Sequence, residues 1–282
     1  MARGEEIVFF RASTAGVGSV ELGHGAKVKP QGADLRVAEA NPDANYGDVY
    51  VSDRFPYVAG GVVELDVSAI ESGTYTLQLL GFKGDAHVYT AEPVKSAAQA
   101  GAQRVRLPAA GLQPDTQSVL LKFWVGGEGA AVRLRELTYR ATVRSEQALL
   151  DEHFDDPAAW QVEADHLAVA AAAPGLRFQL QGAHTFAPAA LARPFELAGD
   201  RLLLAHVAAV PGGVTVQIET FDATGAFVGA VDVLKSVGAG WHGAALGNVD
   251  WPSGAIRGRV KLWVSGAAGA GATLDRLMVV PR

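Results

Sequence analysis

Apolar and polar residues alternate along Val260-Lys261-Leu262-Trp263-Val264, which puts Val260, Leu262 and Val264 on one face of a strand and Lys261 and Trp263 on the other. The same pattern stands about 139 residues earlier, in Leu121-Lys122-Phe123-Trp124-Val125. Each segment is predicted to carry a core face and a decorated face. Alternation also marks Val63, Leu65 and Val67, then Leu77 and Leu79 opposite Thr76, Gln78 and Leu80, as central strands. Ile7 to Phe10, Leu35 to Val37, Val49 to Val51, Val105 with Leu107, Ser118 to Val125 and Val132 to Tyr139 have strand character too. Gly84-Asp85 reads as a hairpin turn into Ala86 to Tyr89, and Gly16, Gly18, Gly23 and Gly25 mark a long loop.

The second half of the chain repeats this order in detail. Thr215-Val216-Gln217-Ile218 answers Thr76-Leu77-Gln78-Leu79, Phe221 answers Phe82, Lys235-Ser236 answers Lys95-Ser96, and Leu274 with Leu277 answers Leu134 with Leu137. The turn Asp222-Ala223-Thr224-Gly225 is one residue longer than its counterpart, where a hairpin tolerates insertion. Duplication divides the 282 residues into modules at 1–143 and 148–282, joined by the polar stretch Thr142 to Gln147. With 33 glycines, short apolar runs and few helical periods, the expected class is all-β: two tandem β-sandwich domains.

A net charge of −6 with scattered basic residues excludes nucleic acid as an expected partner. No run approaches the roughly 18 apolar residues of a membrane span; the most apolar tract, Leu167 to Leu176, is broken by Pro174-Gly175. Met1 to Glu6 lacks the basic-then-apolar pattern of a signal peptide. The expected location is therefore cytoplasmic, or extracellular or periplasmic if a targeting segment was removed. The absence of cysteine rules out disulfides in either compartment.

The stretch Phe154-Asp155-Asp156-Pro157-Ala158-Ala159-Trp160, followed by short strands and closed by Ala272-Thr273-Leu274-Asp275-Arg276-Leu277, resembles the galactose-binding-like jelly roll. The likeness extends over both repeats. Many carbohydrate-binding modules have that fold, so the resemblance implies two antiparallel sheets packed face to face. It also implies a structural calcium, held by Asp275 with one or more of Asp151, Glu152, Asp155 and Asp156, since calcium takes several oxygen ligands at once. Arg135 stands where Asp275 stands, so such a site is expected in the second module only.

A sugar platform needs an aromatic face for the apolar side of a pyranose and fixed polar groups for its hydroxyls. Trp124 with Lys122 and Gln78, and Trp263 with Lys261 and Gln217, offer that set on neighbouring strands. The same residues also suit a face covered by a loop or by the other module, with the lysine stem packed along the ring. Trp241 and Trp251, the latter in Trp251-Pro252-Ser253-Gly254, sit in turn-like surroundings without first-module counterparts, which marks a possible loop site; Trp160 reads as core. Tyr46, Tyr50, Tyr57 and Arg54 form a comparable aromatic and polar group.

Catalytic signals are weak. Glu219 and Asp222 flank a turn, but a glycosidase needs two carboxylates about 5 to 10 Å apart across a cleft. The seven histidines, His24, His87, His153, His166, His184, His206 and His242, are dispersed without zinc-ligand spacing. Gly16-Val17-Gly18 and Gly266 to Gly271 do not link a strand to a helix as phosphate binding requires. The expected function is non-catalytic binding of a polysaccharide or oligosaccharide, in association with a parent enzyme or surface assembly. A structural or adhesive module pair is the alternative, and a lyase or hydrolase with a concave-face site a further one.

Overall fold

A computed structural model describes residues 4–12, 20–22, 25–40, 43, 45–51, 54–84, 86–107, 116–163, 165–210 and 212–282, with backbone alone at 20–22 and 50–51. Gly16, Val17, Gly18, Gly23, His24, Asp85 and the Tyr50 side chain, all singled out above, lie outside the described set. The chain forms two compact units, Glu6–Thr142 and Val143–Arg282, the second together with Met1–Glu5.

The second unit is a two-layered sandwich of antiparallel sheets. One layer orders Leu167–Ala172, Gly175–Leu180, Gly271–Pro281, Arg201–Ala209 and Gly240–Ala245, with Leu150–Glu152 also on Gly271–Pro281. The other orders Trp160–Val162, Phe186–Leu191, Arg257–Ser265, Gly213–Phe221 and Phe227–Val237, with Phe195–Glu196 on Arg257–Ser265. The chain passes back and forth between the layers, as in a jelly roll. Leu176 and Phe178 from the first layer and Val260, Leu262 and Val264 from the second meet in one core and are fully buried. The expected alternation therefore holds along the Trp263 strand. Trp160 also belongs to the core, stacked on Phe154 with ring centroids 5.2 Å apart.

In the first unit the sequence predicts separate strands on either side of residues 68–75 and 126–131. The structure corrects this: Val62–Lys83 and Ser118–Val143 are single strands of 22 and 26 residues. They pair with each other along most of their length, with the register shifting between Gly126 and Ala131. Gly73 lies at this corner with φ +73°, and a Cβ there would run into the Gly126 carbonyl oxygen, so side-chain-free residues let the ribbon turn. Beyond the corner, Ala131–Leu134 pairs with Leu35–Ala38; before it, Lys122–Gly126 pairs with Tyr46–Tyr50. One ten-stranded sheet thus folds over on itself.

Tyr139 joins the two halves of that sheet. Its ring, buried on one half, stacks at 5.0 Å on Phe55, which pairs with Val119 on the other. Its hydroxyl donates to the Pro56 carbonyl and accepts from the Val58 amide, both at 3.1 Å, and burial pushes its ionisation far above the ordinary phenol value. Tyr139→Phe keeps the ring but takes this partner from a buried carbonyl and a part-buried amide. It is expected to cost about 1–3 kcal/mol, read as a lowered urea midpoint with an unchanged slope.

No helix among the described residues is long and apolar enough to cross a membrane.

Candidate functional site

In the second unit the register sets Trp263 beside Thr215 on one neighbouring strand and Pro188 on the other, and Lys261 beside Gln217. Residues directly opposite in an antiparallel pair share a face, so these side chains stand together on the layer's outer surface. The Trp263 indole N–H donates to Gln217 Oε1 at 3.2 Å, and Gln217 Nε2 donates to Asp232 Oδ1 at 2.7 Å. Trp263 is half-buried, with exposed Phe186 at 6.2 Å between ring centroids. Lys261 Nζ lies 5.0 Å from the centre of the indole and 2.9 Å from Glu219 Oε1, while Arg259 Nε reaches Glu219 Oε2 at 3.0 Å. Burial pushes the Glu219 carboxyl up, but hydrogen bonds from Arg259 and Lys261 outweigh it and hold the group below the usual carboxylate range.

The first unit repeats this register, with Trp124 beside Thr76 and Lys122 beside Gln78. Trp124 Nε1 donates to Gln78 Oε1 and Gln78 Nε2 to Glu92 Oε1, each at 3.4 Å. The bend beside the tryptophan is also shared: Ser96 and Ser236 hold φ of 46° and 47°, and their amides donate to Thr76 Oγ1 and Thr215 Oγ1 at 2.9 and 3.0 Å. Tyr46, 43% exposed, lies 5.5 Å from Trp124 between ring centroids. Tyr46, Thr76, Gln78, Glu92, Lys95 and Trp124 are among the residues lining an open groove of about 290 Å³.

Lys122 does not fit the role expected of it. Its side chain is 9% exposed and its Nζ sits 3.0 Å from Asp48 Oδ2, whose side chain is fully buried. Asp48 pairs with Trp124 across the strands and shares its face, so the face is covered around Lys122 and Asp48 and open at Trp124 and Tyr46. Lys122 therefore underpins the indole, its Nζ 3.9 Å from the ring centre, and is not a group offered to hydroxyls. Proline and alanine stand opposite Trp263 and Lys261 on the corresponding strand, so in the second unit Glu219 takes over the lysine's charge.

Most of the residues suggested for calcium are engaged by other groups of the protein. Among the described residues, no three of Asp151, Glu152, Asp155, Asp156 and Asp275 bring ligand atoms within 4.8 Å of one another. Asp275 Oδ1 lies 2.6 Å from His206 Nδ1, and Asp151 is held by Arg276 Nε at 2.9 Å. Asp156 accepts from the Ala158 amide at 2.9 Å, capping the short turn at Pro157–Ala159, and Asp155 is exposed. Glu152 is buried, and desolvation raises its pKa despite a hydrogen bond from the Phe154 amide. Its contribution to stability is full below the unfolded-state pKa and is lost as pH rises through the raised folded value. Glu152→Gln, which keeps the acceptor and removes the charge, is expected to raise Tm relative to wild type increasingly from mildly acidic to neutral pH, followed by thermal denaturation.

The other sequence candidates scatter. Trp241 lies on the opposite layer from Trp263, against His206 at 4.9 Å, and Trp251 packs onto the core instead of projecting from its loop. Tyr57 is buried, and Arg54 covers the Phe82 ring at 3.8 Å, whereas Tyr46 is exposed. Asp222 binds the Thr224 amide at 2.8 Å and the Ala226 amide at 3.0 Å to close its turn. Two histidines read as dispersed do meet: the His166 and His184 rings are 3.9 Å apart. The readable signal was the Pro174-Gly175 hairpin, which pairs Leu167 with Leu180 and so brings together the residues just outside them.

No known protein family matches the chain's sequence, and no curated protein matches it. Among solved structures, the N-terminal CBM22-1-CBM22-2 tandem domain from Paenibacillus barcinonensis Xyn10C matches all of this chain and 99% of its own at 13% identity and a TM-score of 0.32. A family 29 carbohydrate-binding module matches 49% of this chain and 89% of its own at 15% identity and a TM-score of 0.34. The low-affinity xylan-binding module CBM86 from Roseburia intestinalis matches 48% and 95% at 12% identity and a TM-score of 0.31. All three structures are named as carbohydrate-binding modules.

Proposed function

We propose that the chain is a non-catalytic carbohydrate-binding protein in which Trp124 and Trp263 each present a stacking surface to a polysaccharide or oligosaccharide. The observation that carries this reading is the repeated relay of indole, glutamine amide and carboxylate, which fixes a half-buried ring and sets polar groups beside it. Lys122, Lys261 and Arg259 are all ion-paired within the protein, which favours a neutral glycan over an anionic one. Glu219 is taken up by two cations and Asp222 by its own turn, which favours binding without catalysis. Two sites on one chain would add avidity on a polymer, as suits a component of a polysaccharide-processing enzyme or surface assembly.

A glycan-array screen of the whole chain, with and without calcium, tests the reading. Retention of a neutral polysaccharide, independent of calcium, is the expected result. Silence across a broad array would move the weight to a protein-interaction role, which the exposed Phe227 and Ile256 near Phe221 favour as a second reading. Concentration-dependent self-association in sedimentation would then be the test.

A further inference from the structure

We propose that Glu163, Asp165, His166 and His184 form a binding site for a divalent transition metal of the zinc class. The proposal is independent of the glycan reading.

His166 stands in the connection from Trp160–Val162 to Leu167–Ala172, where the Glu163 carbonyl accepts from the His166 and Leu167 amides at 2.9 and 3.0 Å. His184 stands in the connection from Gly175–Leu180 to Phe186–Leu191. The Leu167–Leu180 pairing sets these connections side by side, and the Gln181 amide ties them by donating to the His166 carbonyl at 2.9 Å. Glu163 Oε2 lies 2.8 Å from His166 Nδ1, and Asp165 Oδ2 lies 3.7 Å from His166 Nε2. Ligand atoms of Glu163, Asp165 and His166 all fall within 4.8 Å of one another, the one such group of three among the described residues.

His184 decides the chemistry. Its ring approaches His166 to 3.9 Å between centroids, and among the described residues neither of its nitrogens has a hydrogen-bond partner. A cluster that merely held a charged His166 between two carboxylates would give no role to a second imidazole at that distance. Two carboxylates alone would suit a hard cation; two imidazoles turn the preference toward zinc, copper or nickel. Zinc takes four nitrogen and oxygen ligands tetrahedrally at about 2.0–2.2 Å; His184 stands outside the close group of three, so its side chain would have to rotate out of the ring contact to supply the fourth. The metal would then clip together two connections that each cross from one layer to the other. Phe186, two residues after His184 and beside Trp263, would be held with them.

Calorimetric titration of zinc chloride into the whole chain, stripped with a chelator, tests this. A single saturable site is expected, with Tm raised by zinc and not by calcium. His166→Ala and His184→Ala should each weaken zinc at least tenfold, and the double variant should abolish both binding and the visible ligand-field spectrum of bound cobalt(II). Because these side chains sit on surface connections, the metal-free Tm of the variants should match wild type. His87→Ala, on an exposed strand of the first unit, should leave the affinity unchanged. The proposal is overturned by an absence of zinc binding, by wild-type affinity in either single variant, by retention in the double variant, or by an equal loss in His87→Ala.

Discussion

Replacing Asp48 by alanine is expected to lower the stability of the first unit by about 3–5 kcal/mol, because it removes the carboxylate paired with the Lys122 ammonium in a site where little water reaches. Lys122→Met should do comparable damage by removing the ammonium paired with the fully buried Asp48 carboxylate. The double change Asp48→Ala with Lys122→Met should recover much of the loss, since removing both charges also removes both desolvation penalties. Glu219→Ala is the contrasting case: Arg259 and Lys261 retain side-chain exposures of 28% and 22%, so water can take over the lost contacts. Urea denaturation of the four variants measures these differences. A loss below about 1 kcal/mol in Asp48→Ala would show the pair to be solvated.

The largest functional effect is expected at the indoles. Trp124→Ala and Trp263→Ala should each cost about 2–3 kcal/mol of glycan affinity, roughly 30- to 150-fold for the unit concerned. Both rings are half-buried on an outer sheet face and neither fills the core, so Tm should fall by only a few degrees. Affinity electrophoresis through a gel containing the retained polysaccharide reads the binding, and thermal denaturation reads the fold. If either variant unfolds at ambient temperature, its ring is a structural member. If both stay folded and bind as wild type, the faces are not the site. Gln78→Ala and Gln217→Ala should have smaller effects, because each frees an indole that remains present.

Much of the fold was readable because burial enforces a period of two. Leu121, Phe123, Val125, Val260, Leu262 and Val264 all lie inside, as their alternation requires. The continuous strands were not readable, since glycines at Gly73, Gly126, Gly127 and Gly129 mark a chain reversal and a sheet corner equally well. The same limit applies to sites. The pairing of Trp124 with Gln78 follows from alternation and from the repeat, but the burial of Asp48 depends on a partner strand remote in sequence. Trp251-Pro252-Ser253-Gly254 has turn chemistry, and nothing local reveals that its indole folds back onto the core. His166 and His184 meet only because a hairpin intervenes.

In mechanical terms the two units are built differently. Val62–Lys83 and Ser118–Val143 each run through both halves of the first unit's folded sheet, so those halves are joined by unbroken strand as well as by packing. A pull applied at Trp124 is carried along its own strand, past the corner at Gly126, to the buried Tyr139 ring in the opposite half. In the second unit the same pull at Trp263 must leave a strand that ends at Ser265 and cross a glycine-containing connection before Gly271–Pro281 begins. The first unit is thus expected to yield as one piece under load, and the second to part first where its layers are joined only by loops and side chains.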